Sequence, residues 1–216
     1  MATRDEVAVL LLLHCETTLN TTDSLRGRHD VPLNARGRAR AGALGARVAA
    51  AYDVDVLLIS PLRRALETAA IVSAAIGVAA VEHPSFIDVD YGRWAGIPLN
   101  AFLERDRGEV KRWRRDPSTP LPGAEPPSEA QVRAYNGLSD VAVAQARCVA
   151  IVTHDAIIQL LMCHFLMCHF LMCHFLGLPL LTYRGLVQHT ASLNELRWSD
   201  GEWTVAQLNR TWHLSG

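Results

Sequence analysis

Predominantly apolar residues recur along the chain in short runs, and each run is followed by a polar loop or by a segment with helical periodicity. Val7 to Leu13, Val54 to Ile59 and Cys148 to Thr153 are such runs, and a less apolar one spans Val78 to His83. A short apolar run bounded by polar residues is typical of a strand that is buried on both faces. Four such strands alternating with helices predict a mostly parallel sheet.

The segments between these runs predict the helices. Residues 35–52 have helical periodicity, with Asn34 placed to cap the helix. Ser60 and Pro61 are residue types favoured at the cap and first position of a second helix. The remaining predicted elements are a short helix near 100–114 inside a loop at 88–127, a helix at 128–146, and a hairpin of strands 192–198 and 202–208 around Asp200-Gly201. The order predicts an α/β fold, a three-layer α/β/α sandwich whose mostly parallel central sheet carries helices on both faces.

Composition narrows the class of protein. The chain has 216 residues, of which 50% are hydrophobic and 20% charged, and we expect a single globular domain over residues 1–216. A net charge of -1 gives no bulk attraction to nucleic acid or to an acidic membrane. The N-terminus lacks the pattern of a signal peptide, and five cysteines at irregular positions do not indicate a disulfide framework. These features predict a cytoplasmic protein.

Two histidines stand directly after predicted strands. His14 follows the first run and His154 follows the run that ends at Thr153. Open α/β sheets place their reactive groups in the crevice outside the carboxyl ends of the strands. We therefore expect both imidazoles to belong to one site. Arg64 lies at the start of the helix that follows a third such strand, which ends at Ile59, so we expect it near the same edge of the sheet. A helix N-terminus and a guanidinium together can form a strong anion site.

Five ordered segments carry a resemblance to a known family. They are His14 to Asn20, Gly27 to Leu33, Ser60 to Ala69, Asp88 to Gly96, and Val152 to His154. Over nearly the whole chain these segments resemble the histidine phosphatase, or phosphoglycerate mutase-like, superfamily. The resemblance implies a phosphoglycerate mutase-like fold and a histidine-type acid phosphatase that hydrolyses a small phosphorylated metabolite through a phosphohistidine intermediate. It implies no metal or other cofactor, and the short loop after Gly92 favours hydrolysis over mutase chemistry.

The resemblance also implies residue roles. His14 corresponds to the nucleophile, His154 to a second imidazole in the phosphate pocket, and Asp88 to the general acid and base. The implied substrate-binding residues are Arg64, Asn20 and Arg28. A neutral imidazole can attack phosphorus directly, while cations stabilise the charge on the equatorial oxygens. For Asn20 the alternative is a turn residue that caps its own backbone.

Three positions depart from the family pattern at the chemistry. Leu13 replaces an arginine, Cys15 replaces a glycine, and Asp88 replaces a glutamate. Loss of one transition-state donor typically costs roughly 2.7–4 kcal/mol, so we expect weak turnover. The alternative is a catalytically impaired descendant that binds phosphorylated ligands or a protein partner. A Cys15 thiolate is a less favoured nucleophile, because no phosphate loop of the Cys-x5-Arg type follows it. The nearby arginines that are candidates to replace the missing cation are Arg26, Arg28 and Arg93.

One segment has no counterpart in the family pattern. The pentapeptide Leu-Met-Cys-His-Phe occurs three times in tandem at 161–175, and two extra copies would lengthen one helix by about 15 Å. We interpret the segment as an extended amphiphilic helix whose exposed apolar surface favours a homodimer. A membrane span is the first alternative, because residues 156–183 contain no Asp, Glu, Lys or Arg. A metal site is the second, because His164 and Cys168, like His169 and Cys173, are spaced i,i+4.

Overall fold

The computed structural model describes residues 6–22, 24–98, 101, 104, 107–116, 119–143, 146–169 and 186–214. Its strands are β1 (Val7–Leu13), β2 (Val56–Ile59), β3 (Ala80–Glu82), β4 (Cys148–Thr153), β5 (Leu193–Ser199) and β6 (Glu202–Arg210). Its α-helices are α1 (Thr18–Thr21), α2 (Ala35–Ala51), α3 (Arg63–Ile76), α4 (Arg107–Arg115), α5 (Pro127–Val143) and α6 (Asp155–His169). Short 3-10 turns span Pro84–Phe86, Gly92–Trp94 and Trp212–Leu214.

The strands form one mixed sheet in the order β3-β2-β4-β1-β5-β6. β3, β2, β4 and β1 run parallel, while β5 and β6 add an antiparallel hairpin at one edge. The prediction of a mostly parallel α/β sheet is therefore confirmed. β1 and β4 are neighbours, with Leu13 paired to Thr153. The residues that follow these two strands, His14 and His154, consequently emerge side by side at the same edge of the sheet.

Both faces of β1 are buried. Leu11 and Leu13 belong to a hydrophobic cluster that includes residues of α5 and α6. Leu10 and Leu12 point to the other side, into a cluster with residues of α2 and α3. Because helices cover both faces, the strand reads as a continuous apolar run rather than an alternation with polar residues. The predicted arrangement of helices on both faces is confirmed.

Two helix starts were predicted, and one prediction holds. The side chain of Asn34 accepts a hydrogen bond from Gly37 N at 2.7 Å and caps α2, as expected. The prediction for α3 was wrong, because this helix begins at Arg63 rather than after a Ser60 cap. Ser60 remains in the loop, where its hydroxyl lies 2.7 Å from His154 Nε2. That contact joins the end of β2 to the end of β4, while the same hydroxyl accepts the backbone N–H of Leu62 at 3.4 Å, one residue before the helix begins.

Other boundaries differ from their predictions by a few residues. β2 begins at Val56 rather than at residue 54, and the Asp55 carboxylate before it accepts the backbone N–H groups of Arg147 and Cys148 at 2.8 Å each. The helix expected near 100–114 is described over Arg107–Arg115, and the one expected at 128–146 over Pro127–Val143.

The C-terminal hairpin agrees with its prediction. β5 and β6 pair antiparallel and are joined by Asp200 and Gly201, whose φ angles are 52° and 88°. Two consecutive residues in the left-handed region match the right-handed twist of the flanking strands, and Asp-Gly is a favoured pair for such a turn.

The pentapeptide repeat is only partly described. α6 contains the first copy and ends at His169, within the second, and the third copy lies outside the described residues. Phe165 of the first copy is buried in the core. The proposals that 161–175 extends one helix, that residues 1–216 form a single domain and that the chain forms a homodimer stay predictions. Of the helices in the described part of the chain, none is both long and apolar enough to cross a membrane.

Candidate active site

His14 is fully buried at the carboxyl end of β1. Its backbone N–H donates to Thr153 O at 3.0 Å, and its ring Nδ1 lies 2.8 Å from Cys15 O. Since a carbonyl oxygen only accepts, Nδ1 carries the proton and Nε2 keeps a lone pair. Arg64 Nε donates to that Nε2 at 3.2 Å. The ring is therefore fixed in the tautomer that a nucleophilic imidazole requires.

The charge state of His14 also suits a nucleophile. Burial lowers the pKa of His14 to about 3, and the positive charges of Arg64 and Arg26 act in the same direction. A group with this pKa is neutral throughout the physiological range. His14 therefore offers an unprotonated Nε2 without needing a separate base.

The backbone after His14 is anchored from two helices. Cys15 N donates to Thr68 Oγ1 of α3 at 3.0 Å. Asn34 N, at the start of α2, donates to Glu16 O at 3.0 Å, and the Asn34 side chain donates to the Glu16 carboxylate at 2.9 Å. These bonds orient the carbonyl of Cys15 and, through it, the His14 ring.

His154 lies beside His14, with the ring centroids 5.3 Å apart. Its Nε2 contacts Ser60 Oγ at 2.7 Å, and its Nδ1 lies 3.7 Å from Asp88 Oδ2. That Nδ1 is buried and has no hydrogen-bond partner among the described residues. Burial lowers the pKa of His154 well below its ordinary value, and the charge of Arg64 adds to this effect.

Arg64 connects the predicted site residues. Its fully buried side chain lies in the first turn of α3. Besides the bond to His14, Nη2 donates to Asp88 Oδ2 at 2.9 Å and to Gly27 O at 2.7 Å, and Nη1 donates to His29 O at 3.0 Å. One guanidinium thus holds the first histidine, the acid and the loop after α1.

Asp88 lies against Arg64 in the same buried environment. Burial raises the pKa of Asp88 to about 6, although the neighbouring guanidinium of Arg64 acts to lower it. A carboxyl with this pKa is divided between its acid and base forms near neutral pH, as a group that both donates and accepts a proton must be. The structure thus brings four of the six predicted site residues, His14, His154, Arg64 and Asp88, into contact.

The other two predicted residues lie further out. Arg28 Nε donates to the backbone carbonyl of Asp88 at 3.2 Å, and its Nη2 donates to Glu125 at 3.3 Å. Asn20 Oδ1 accepts hydrogen bonds from Thr17 N at 2.9 Å and Thr17 Oγ1 at 2.7 Å, which is the capping arrangement considered as its alternative role. Their part in substrate binding stays a prediction.

Arg133 is a supporting residue that the sequence did not reveal. It lies on α5, where Nη1 donates to Ser85 O at 2.7 Å and Nη2 to Asp88 O at 3.1 Å. Glu125 pairs with it at 2.7 Å. Arg133 therefore fixes the loop that carries the acid. No motif surrounds this arginine, so only the packing of α5 against that loop identifies it.

Leu13 and Cys15 occupy apolar surroundings on opposite sides of the sheet. Leu13 is 2% exposed and belongs to the core between the sheet and α6. Cys15 is fully buried in the other core, and burial raises the pKa of its thiol to about 12. A thiol in this state is not a nucleophile at neutral pH, which argues against the thiolate hypothesis.

A cavity of about 250 Å³ opens beside the acid. Asp88, Arg26 and Asp155 supply its charged lining, and Arg26 Nη2 forms an ion pair with Asp155 Oδ2. The other lining residues are Ser24, Leu25, Gly27, Tyr91, Trp113, Ala156 and Gln159. Within the described ranges no group of three or more His, Cys, Asp or Glu side chains is arranged to hold a metal ion.

Comparisons with known proteins identify the family and the fold of the chain. A sequence model of the family described as histidine phosphatase superfamily (branch 1) matches residues 9–170. The chain is 31% identical to an uncharacterized phosphatase, PhoE, of Bacillus subtilis, with 97% of each protein covered. It is 23% identical to phosphoserine phosphatase 1 of Hydrogenobacter thermophilus, over 96% of this chain and 94% of that protein. Among solved structures, YhfR of Bacillus stearothermophilus superposes with a TM-score of 0.81 at 24% identity, covering 96% of this chain and 99% of the other.

Proposed function

The chain belongs to branch 1 of the histidine phosphatase superfamily, and we propose that this phosphoglycerate mutase-like phosphatase hydrolyses small phosphate monoesters through a phosphohistidine on His14. The observation that carries the proposal is the pairing of two buried imidazoles, 5.3 Å apart, with Arg64 Nε directed at His14 Nε2. Nucleophile and cation are thereby together, and the proposed proton donor, Asp88, accepts a hydrogen bond from the same guanidinium at 2.9 Å.

In the first step, His14 Nε2 attacks phosphorus while the bond from phosphorus to the ester oxygen breaks. Arg64 Nε, which donates to Nε2 in the free enzyme, turns its hydrogen bond to a phosphoryl oxygen. His154 Nδ1, buried without a partner among the described residues, is available to a second phosphoryl oxygen. Protonated Asp88 gives its proton to the leaving oxygen, so the product is a neutral alcohol.

In the second step, water attacks the phosphoryl group on His14. Asp88, now a carboxylate, accepts a proton from that water, and the bond between phosphorus and Nε2 breaks. The products are inorganic phosphate and neutral His14, whose depressed pKa keeps the ring unprotonated for the next cycle. The raised pKa of Asp88 supports its use as an acid in one step and a base in the next.

The size of the cavity supports a small substrate. Its volume of about 250 Å³ lies below the range of about 300–1,000 Å³ typical of drug-sized ligand pockets. The relative from Hydrogenobacter thermophilus is a phosphoserine phosphatase, which also acts on a small phosphorylated metabolite. Both observations support a small phosphorylated metabolite as the substrate.

The nucleophile is tested with an aryl phosphate whose alcohol is coloured. His14→Ala should abolish turnover, and alkaline quenching followed by mass spectrometry should find a phosphoryl group on His14 of the wild type. His189→Ala, at an exposed histidine before β5, is the matched control and should keep full activity. Unchanged turnover in His14→Ala would refute the assignment. Asp88→Asn should slow an alkyl phosphate more than the aryl phosphate, because only the poorer leaving group needs the proton.

A catalytically impaired protein that binds phosphorylated ligands or a protein partner is the second candidate. Its support is Leu13, an apolar side chain buried where the family pattern has an arginine. Assays before and after Leu13→Arg separate the two candidates. A large gain from a near-zero start favours the impaired protein, whereas substantial activity before the change excludes it.

A further inference from the structure

Three arginines are candidates to replace the cation missing at position 13. Arg28 is engaged by Asp88 O and Glu125, and its side chain is 37% exposed. Arg93 is exposed, and its guanidinium stacks over the Trp94 ring at 4.6 Å from the centroid. Of the three, Arg26 is the one that lines the cavity beside Asp88. Its place in the cavity lining distinguishes Arg26 from Arg28 and Arg93.

The hydrogen bonding of Arg26 is incomplete. Nη2 pairs with Asp155 Oδ2, while Nε is buried and has no partner among the described residues. A buried donor without an acceptor is unfavourable and uncommon, and where the side chain lines a cavity a ligand can supply the acceptor. Guanidinium groups bind phosphoryl oxygens through such N–H groups. One edge of Arg26 is therefore held by the protein and the other is available to an anion.

The charge of Arg26 acts on the proposed nucleophile and the acid. It contributes to the lowered pKa of His14 and opposes the rise in the pKa of Asp88. Asp155 acts on the pKa of His14 in the opposite sense, which places both members of the ion pair within electrostatic reach of this ring. Geometry points the same way: Arg26 lines the cavity beside Asp88, and Asp88 and His14 both accept hydrogen bonds from Arg64, so a phosphoryl group bound there would lie near Arg26.

We propose that Arg26 binds the transferring phosphoryl group in place of the arginine absent at position 13, with Nε donating to a phosphoryl oxygen. Asp155 is a positioning residue, because it holds Nη2 and sets the direction of the guanidinium. The inference rests on the proposed function, since the phosphoryl group must be on its way to His14. In this role Arg26, from the loop before Gly27, gives the site a second guanidinium although β1 ends in Leu13 where the family pattern has an arginine.

The test measures kcat/KM for an aryl phosphate and inhibition by inorganic phosphate. Arg26→Gln should lower kcat/KM by about 10²–10³ and weaken phosphate inhibition, since one transition-state donor is lost. Arg26→Lys should recover part of both, because it keeps the charge but not the fork. The matched control is Arg63→Gln, which removes an exposed arginine paired with Glu67 and should change neither quantity.

Asp155 is tested by a double-mutant cycle. Asp155→Asn should lower kcat/KM and weaken phosphate inhibition when Arg26 is present, and should have no further effect in Arg26→Gln. Additive effects would show that Asp155 does not act through Arg26. If Arg26→Gln does not fold, Asp155→Asn takes its place in the test. Weaker inhibition by phosphate then supports the role of Arg26, and unchanged inhibition refutes it.

The two proposals fail in different ways. If His14→Ala is inactive while Arg26→Gln retains wild-type turnover and phosphate inhibition, the role of Arg26 is refuted and the proposed function stands. If His14→Ala retains full turnover, the proposed function itself is wrong.

Discussion

Replacing Arg64 with methionine should destabilise the protein strongly and in a pH-dependent way. The guanidinium is fully buried and donates to His14, to the carbonyl oxygens of Gly27 and His29, and to the Asp88 carboxylate. Methionine has a similar unbranched shape but no donor. At pH 8 the cost should be about 3–5 kcal/mol, the usual penalty for removing one partner of a buried ion pair.

The pH dependence follows from the pKa of Asp88, which is about 6 in the intact protein. Arg64 acts to lower that pKa, so its removal should raise it further. In the variant the folded state then keeps a proton on Asp88 above pH 6, whereas the unfolded state has already released it. As the pH rises above 6, the free energy of unfolding of the variant should fall by about 1.4 kcal/mol per pH unit until Asp88 ionises. The wild type does not share this loss, because its Asp88 is already ionised there. The difference between the two proteins should therefore grow by up to about 3 kcal/mol from pH 6 to pH 8.

Urea unfolding followed by tryptophan fluorescence at pH 5.5, 7 and 8 measures these differences. In an Asp88→Asn background, Arg64→Met should cost less and the cost should vary much less with pH, because residue 88 can no longer ionise. Arg63→Met is the matched control: its side chain is 60% exposed, and the change should stay within about 0.5 kcal/mol. A cost for Arg64→Met that is the same at pH 5.5 and pH 8, or that is unchanged by Asp88→Asn, would refute the reasoning.

Two further predictions concern rate and packing. For an alkyl phosphate, kcat/KM should rise as His14 loses its proton above about pH 3. It should fall again as Asp88 loses its proton above about pH 6, because the proton donor exists only below that pKa. A fall of kcat/KM above pH 6 that persists in Asp88→Asn would contradict this assignment. In α2, Gly37→Ala should destabilise by about 1–3 kcal/mol, because the added methyl group would overlap the carbonyl oxygen of Glu16. Gly42→Ala, in open space on the same helix, should instead stabilise by about 0.5–1 kcal/mol, and the two free energies of unfolding check the pair.

Much of the fold was predictable because its signals are local. The apolar runs at β1 and β4 were expected with the bounds that the structure has, and Asn34 was expected to cap α2. The Ser60 cap was predicted wrongly, because its hydroxyl has a competing partner, His154, 94 residues away in the chain. A propensity describes what a residue does in the absence of such a partner, and tertiary contacts override it.

For the site, the sequence alone determined which chemical groups reach the sheet edge: imidazoles after two parallel strands, and a guanidinium in the first turn of a helix. Their states depend on burial and on contacts between distant segments, so only the tertiary structure decided that Nε2 of His14 is unprotonated and that burial raises the pKa of Asp88 to about 6. The same holds for Arg26 and Asp155, which are 129 residues apart in the chain and paired in the fold. Hydrophobic periodicity depends on neighbouring residues, whereas a pKa or a hydrogen bond depends on whichever groups packing brings within a few ångströms.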